Sequence, residues 1–147
     1  MVSEVKDTRE VANELRPVLL RLGRQLRREI HSLGVSGGHV SLLAAIKSAP
    51  GITASALAER ECISAAAVSN HLARLESAGL IERTRGDDDR RRVGLSLSAE
   101  GEKVLRSVRQ RRTAWLARRL DRLTETEREA IEAAIEPLAR LLEADAE

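Results

Sequence analysis

Residues 54–72 read ASALAERECISAAAVSNHL. This stretch decides the fold, because it fits two short helices joined by a tight turn. Helices that cross steeply over a turn of about three to four residues need a small side chain at the crossing. Ala58 supplies it, and Leu57, Ile63, Val68 and Leu72 have the spacing to point inward from both sides. Thr53 and Ser64 each stand just before a helical run, where a hydroxyl can accept a free backbone N–H. The expected helices are Ala54–Arg60 and Ala65–Ala78, the second closed by Gly79, since glycine takes the left-handed backbone that ends many helices.

Towards the C-terminus, Leu80–Arg85 and Arg90–Leu97 form the arms of a β-hairpin with Gly86-Asp87-Asp88-Asp89 at its tip. Val93, Leu95 and Leu97 alternate with Gly94 and Ser96, the period of a strand. Towards the N-terminus, Ser36 can cap a helix over Gly38–Ser48. Before it, Val11, Leu15, Val18, Leu22, Leu26 and Ile30 make one apolar stripe on a helix over Val5–His31. Pro17 should kink or interrupt that helix. After the hairpin, Ser98 caps a helix through Leu123, and Thr124 with Glu127 forms a capping box for a last helix to about Leu142. Its stripe is Ile131, Ile135, Leu138 and Leu142, with a bend expected at Pro137.

The fold class is therefore mainly α with a small β-hairpin wing. Residues 1–35 and 99–147 read as dimerisation helices around a winged helix-turn-helix at 36–98. The two long amphipathic ends must bury each other or those of a second copy, so a homodimer is expected.

Composition agrees and narrows the function. Apolar residues at 42% suffice for a core, which must be built from Leu, Ile, Val and Ala because Phe and Tyr are absent. A single cysteine allows no internal disulfide and suits a reducing cytoplasm. No apolar run approaches the ~20 residues that cross a bilayer, and residues 1–10 lack a secretory apolar stretch. There is no Gly-rich phosphate loop, no Ser/His/Asp arrangement in strand-turn-helix context and no metal-ligand spacing, so neither an enzyme, a cofactor nor a metal is expected. The net charge is only +2. Even so, Lys103–Arg122 carries eight basic residues against Asp121. That segment either attracts phosphate or forms a solvated face paired with Glu from the other end of the chain.

The helix-turn-helix points to double-stranded DNA. The second helix opens Ser64-Ala65-Ala66-Ala67-Val68-Ser69-Asn70, small and polar enough for a major groove. A carboxamide pairs with adenine through two hydrogen bonds, which makes Asn70 the candidate for direct readout. Ser64 and Ser69 can reach base edges or phosphates; Ala65, Ala66 and Ala67 can meet thymine methyls; Arg74, one turn on, is placed for phosphate. Ser64 is also a cap, and the alanines are also good helix formers. Arg83 and Arg85 on one hairpin arm, and Arg90, Arg91 and Arg92 on the other, surround the tip. A protruding ribbon can lay such arginines in a minor groove. The competing reading is a salt-bridged surface hairpin.

Gly51–Arg60 (GITASALAER), Ser64–Arg83 ending RLESAGLIER, the DRR of Asp89–Arg91 and the LSAEG of Leu97–Gly101 resemble the MarR family of bacterial and archaeal regulators. The resemblance spans the chain in length and order of elements. It implies a triangular dimer with first and last helices intertwined and a winged domain at each lower corner. It also implies a pseudo-palindromic operator, usually repressed and often released by a small-molecule effector or by oxidation. By the same resemblance Asp89 orients the wing arginines and Arg91 enters the minor groove. Two departures stand out. Asp88 occupies a position where the family commonly has a basic residue, and Cys62 holds the turn position where glycine is common. A left-handed backbone at Cys62 would cost roughly 1–2 kcal/mol.

Cys62 reads as a redox switch or as an inert turn residue. His31 and His39 flank the first loop, where family ligands often lie, and His71 should be partly buried. Trp115 suits a core or dimer interface, or a ligand platform. The competing function is a helical protein-interaction module whose winged domain has lost DNA binding.

Overall fold

The computed structural model describes residues 5–86, 88–89 and 91–143. They form six α-helices and one hairpin: α1 (Thr8–Arg28), α2 (Gly37–Ser48), α3 (Ala54–Glu61), α4 (Ala65–Ser77), β1 (Ile81–Arg85), β2 (Val93–Leu97), α5 (Ala99–Leu120) and α6 (Glu125–Arg140). A 3-10 turn, His31–Leu33, links α1 to α2. The chain divides into two compact units, Met1–Arg112 and Thr113–Glu147, with the boundary inside α5.

In the first unit, α2, α3, α4 and the hairpin surround one aliphatic core. Leu43, Ile46, Leu57, Val68, Leu72, Leu75 and Leu95 are essentially sealed from solvent. Ile30, Leu105 and Val108 join the same cluster, which contains no aromatic side chain. The caps fall at the expected hydroxyls. Ser36 Oγ accepts the His39 N–H at 3.2 Å, Thr53 Oγ1 the Ala56 N–H at 3.2 Å and Ser64 Oγ the Ala67 N–H at 3.1 Å. Cys62 ends α3 in the left-handed region (φ 54°, ψ 40°), where an L side chain is strained. The turn then closes through the Ile63 N–H, which donates to the Ala58 carbonyl at 3.1 Å. Ile63 is less buried than expected, sitting in that turn with 37% of its surface exposed.

The hairpin is antiparallel, with Ile81 opposite Leu97 and Arg85 opposite Val93. It docks through a short third edge. The Gly51 N–H donates to the Leu95 carbonyl at 2.8 Å, and the Leu95 N–H to the Ile52 carbonyl at 2.9 Å. Only Leu95 of β2 is fully buried; Val93 and Leu97 are half-buried like Gly94 and Ser96, so the expected alternation is incomplete. The cause lies at Gly94, where a Cβ would come within 3.1 Å of the Gly51 backbone, so this face is occupied by main chain. Strand β2 also begins at Val93, three residues later than Arg90.

Pro17 lies inside an unbroken α1, and α6 runs through Pro137 to Arg140, so neither proline ends its helix. Along α1, Val11, Val18 and Leu22 are 41–52% exposed and Leu15 and Leu26 are half-buried, while Ile30, just past its end, is sealed. In the second unit, the capping box of α6 is complete. Thr124 Oγ1 accepts the Glu127 N–H at 3.2 Å, and the Glu127 carboxylate accepts the Thr124 N–H at 2.8 Å. Ile131, Ile135 and Leu142 remain exposed there.

Candidate nucleic-acid interface

Helix α4 is amphipathic in the way a reading helix requires. Val68, Leu72 and Leu75 face the core, while Ser64, Ala65, Ala66, Ser69, Asn70 and Arg74 are exposed. The exposed row is short and nearly neutral in its first two turns, so it can approach base edges closely. Ala67 is half-buried, so its methyl is partly withdrawn from that row. Ser64 Oγ already caps α4, which leaves its O–H free to donate.

The wing arginines fall into two groups. Arg83 Nε donates to Glu76 Oε2 at 2.9 Å, an ion pair tying β1 to the end of α4. The sequence reading missed Glu76, although hairpin and helix had to meet near that point. Arg85, Arg91 and Arg92 are exposed. Asp89 shapes the turn that carries Arg91. Its Oδ1 accepts the Arg91 backbone N–H at 3.0 Å, and its carbonyl accepts the Arg92 N–H at 3.0 Å. Arg90 and Asp87 lie outside the described residues.

The expected pairing of the basic Lys103–Arg122 stretch with carboxylates does not occur among the described residues, whose ion pairs lie elsewhere. Arg111 donates instead to Ser32 Oγ at 2.6 Å, Arg112 to the Leu26 carbonyl at 3.2 Å, and the Arg119 guanidinium lies 5.2 Å from the Trp115 ring centre. Burial, then the Arg27 charge, lowers the Arg112 pKa.

His31 and His39 face different surroundings. His31 lines an open cleft of about 390 Å³ with Arg24, Arg27, Arg28, Val35, Ser36 and Gly37. These arginines escaped the sequence reading, although their spacing of three and four sets them on one face of α1. His39 turns to α4, its ring 5.1 Å from that of half-buried His71. Trp115 belongs to the second unit and is 7% exposed, a packed ring under Arg119. Cys62 is exposed, with its thiol 3.8 Å from the Glu59 carbonyl. Among the described residues no three His, Cys, Asp or Glu side chains gather as a metal site, and no helix is long and apolar enough to cross a membrane.

A capped helix-turn-helix with an exposed polar face on α4, followed by an arginine-bearing hairpin, defines a winged helix-turn-helix. Residues 35–93 match the MarR family. An HTH-type transcriptional regulator of Mycobacterium tuberculosis is 31% identical over 133 residues, covering 90% of this chain and 93% of the relative. The HTH-type transcriptional repressor MdtR of Bacillus subtilis is 31% identical over 118 residues, covering 80% and 76%. The crystal structure of YusO from Bacillus subtilis superposes with a TM-score of 0.74 at 29% identity, covering 92% of this chain and 99% of that one. The chain belongs to the MarR family. It is a DNA-binding regulator of transcription and not an enzyme.

Proposed function

We propose that the protein is a homodimeric repressor of a pseudo-palindromic operator, released by a small-molecule effector. One observation carries the dimer. Val11, Val18 and Leu22 on α1, Ile131 and Ile135 on α6, and Leu142 just beyond α6, are exposed within a single chain. Apolar stripes of this length call for a covering surface. Residues 1–35 and 99–147 then form the dimerisation region around the winged domain at 36–98. A two-fold axis presents two copies of α4 to one face of the duplex.

In this reading Asn70 and Ser69 read bases, Ala65, Ala66 and Ala67 meet thymine methyls, and Ser64 and Arg74 hold phosphates. Arg85 and Arg91 reach the minor groove, while Arg83 braces the wing through Glu76. Repression is supported by the MdtR repressor's likeness to this chain over most of its length. The cleft at His31 supports an effector, and its three arginines favour an acidic one. In this reading the protein works on DNA in the cytoplasm.

The test is direct. Footprinting on DNA upstream of the protein's own gene should show two protected half-sites one helical turn apart. Transcription from that DNA in vitro should fall as protein is added. Protection without any fall in transcription would remove the repressor assignment and leave the DNA-binding one.

A further inference from the structure

Helices α2 and α4 meet through two imidazoles. His39 stands in the first turn of α2, its backbone N–H held by Ser36 Oγ at 3.2 Å. His71 follows Asn70 on α4. The ring centres are 5.1 Å apart and the planes meet at 86°, so the edge of one ring faces the other. His39 Nε2 is buried and has no hydrogen-bond partner among the described residues. A Cβ at Gly38 would lie 3.8 Å from His71 Cε1, so the α2 backbone is close to this ring as well.

The charged groups that act on His39 are cationic. Helix α4 contributes His71 and Arg74. Helix α1 lays Arg27 over Gly37, and the 3-10 turn brings His31 to the cleft at Ser36 and Gly37. The Glu61 carboxylate on α3 accepts a hydrogen bond from Ser41 at 2.9 Å. A proton placed on the buried Nε2 of half-buried His39 would find no acceptor among the described residues, which disfavours the charged ring. Burial, then His71 and Arg74, hold the His39 pKa below the ordinary imidazole value. A charge on the His39 ring would stand against His71 and Arg74 across the α2–α4 contact.

We propose that His39 and His71 form a proton-operated contact that holds α4 in its DNA-reading position near neutral pH and loosens it on acidification. The consequence is a regulator whose discrimination between sequences, more than its total affinity, falls in acid. The inference rests on α4 being the reading helix.

A competing effect sets the design of the test. Protonated histidines add positive charge, which tightens binding to any DNA. The quantity to measure is therefore a ratio of affinities, taken with the full-length protein. One duplex is selected from a random-sequence pool by the protein at about pH 7.5, and the other is a random duplex of equal length. The selected-to-random ratio should fall about tenfold between about pH 7.5 and pH 5.5, as charge repulsion at this spacing allows. In His39→Gln the ratio should stay flat, because a carboxamide does not titrate in this range. His71→Gln serves as the second variant, and circular dichroism checks that each is folded. Imidazole NMR titration of the wild type should also place the His39 midpoint below 6.5. A ratio that is constant in the wild type, or that falls equally in folded variants, overturns the proposal. The reading of α4 itself is scored separately by Asn70→Ala at neutral pH. If that change leaves the ratio intact, α4 is not the reading helix, and the fault lies there and not in the histidine contact.

Discussion

The Asp89 carboxylate holds Arg91 by its main chain, accepting the backbone N–H at 3.0 Å. The family resemblance implies that Asp89 orients the wing arginines, and Arg91 falls within the arm expected over Arg90–Leu97. Arg91 instead occupies the turn before β2, and Asp89 fixes that turn. Arg91→Ala should weaken binding to operator and to random DNA by similar factors, and reduce the salt slope by about one. Asp89→Ala should do the same more mildly, by loosening the turn. Asp89→Asn should stay close to wild type, since a carboxamide oxygen accepts the same N–H. Affinities of the three variants across a salt series decide this. Tighter binding by both Asp89 variants at every salt concentration would mean that Asp89 merely repels phosphate.

Asn70 is exposed on α4, two residues beyond buried Val68. Asn70→Ala should therefore leave folding untouched. It should cost about 1–3 kcal/mol at the selected site and relax preference at one base position per half-site. Binding to a library randomised one position at a time reads both numbers. Equal losses on specific and random DNA would reduce Asn70 to a backbone contact.

Cys62 adopts φ 54° between α3 and α4 with its side chain exposed. Cys62→Gly should stabilise the fold by up to roughly 1–2 kcal/mol, because glycine escapes the left-handed penalty. The gain is reduced by glycine's greater freedom in the unfolded chain. Urea unfolding under reducing conditions measures it. A substantial loss of stability would show that the thiol makes a contact worth more than the strain.

The helix-turn-helix was legible because its signals are local. Each cap is a hydroxyl bonded to the N–H three residues on, and Leu57, Val68 and Leu72 follow a period that one strand of text displays. Ile63 misled because a turn residue after a left-handed Cys62 no longer keeps the helical period. The start of β2 was misplaced because basic character reaches back to Arg90, whereas pairing starts only at Val93. The partners of Arg83 and His39 were not legible at all. Glu76 lies on the preceding helix, and His71 is distant in sequence from His39, so only the folded chain sets them together.

Stability should also depend on pH through His39. Its folded pKa lies below 6.5, with burial as the main cause and His71 and Arg74 adding to it. The unfolded chain therefore takes up the proton first as pH falls. The stability this group contributes is complete above about pH 6.5 and is lost as pH drops through 6.5 to the lower folded value. Thermal melts in this window should show a slope that His39→Gln removes. Carboxylate titration lies at lower pH and should be common to both proteins.

The dimer offers the sharpest contrast between one chain and two. Leu22 on α1 is 41% exposed in the single chain. If the chain acted alone, Leu22→Asp would place a charge at a half-solvated surface, where substitutions usually shift stability by about 0.5 kcal/mol or less. If a second copy covers the stripe, the same change buries an unpaired carboxylate and should block association or folding. Ile135→Asp on α6, where the wild-type side chain is 63% exposed, should behave alike. Obligate interfaces commonly bury more than about 2,000 Å², so the wild type should sediment as a dimer down to nanomolar concentration. Sedimentation velocity on the three proteins, with circular dichroism alongside, gives the answer. A folded wild-type monomer at micromolar concentration, with Leu22→Asp equally stable, would rule out the homodimer and with it the two-half-site operator.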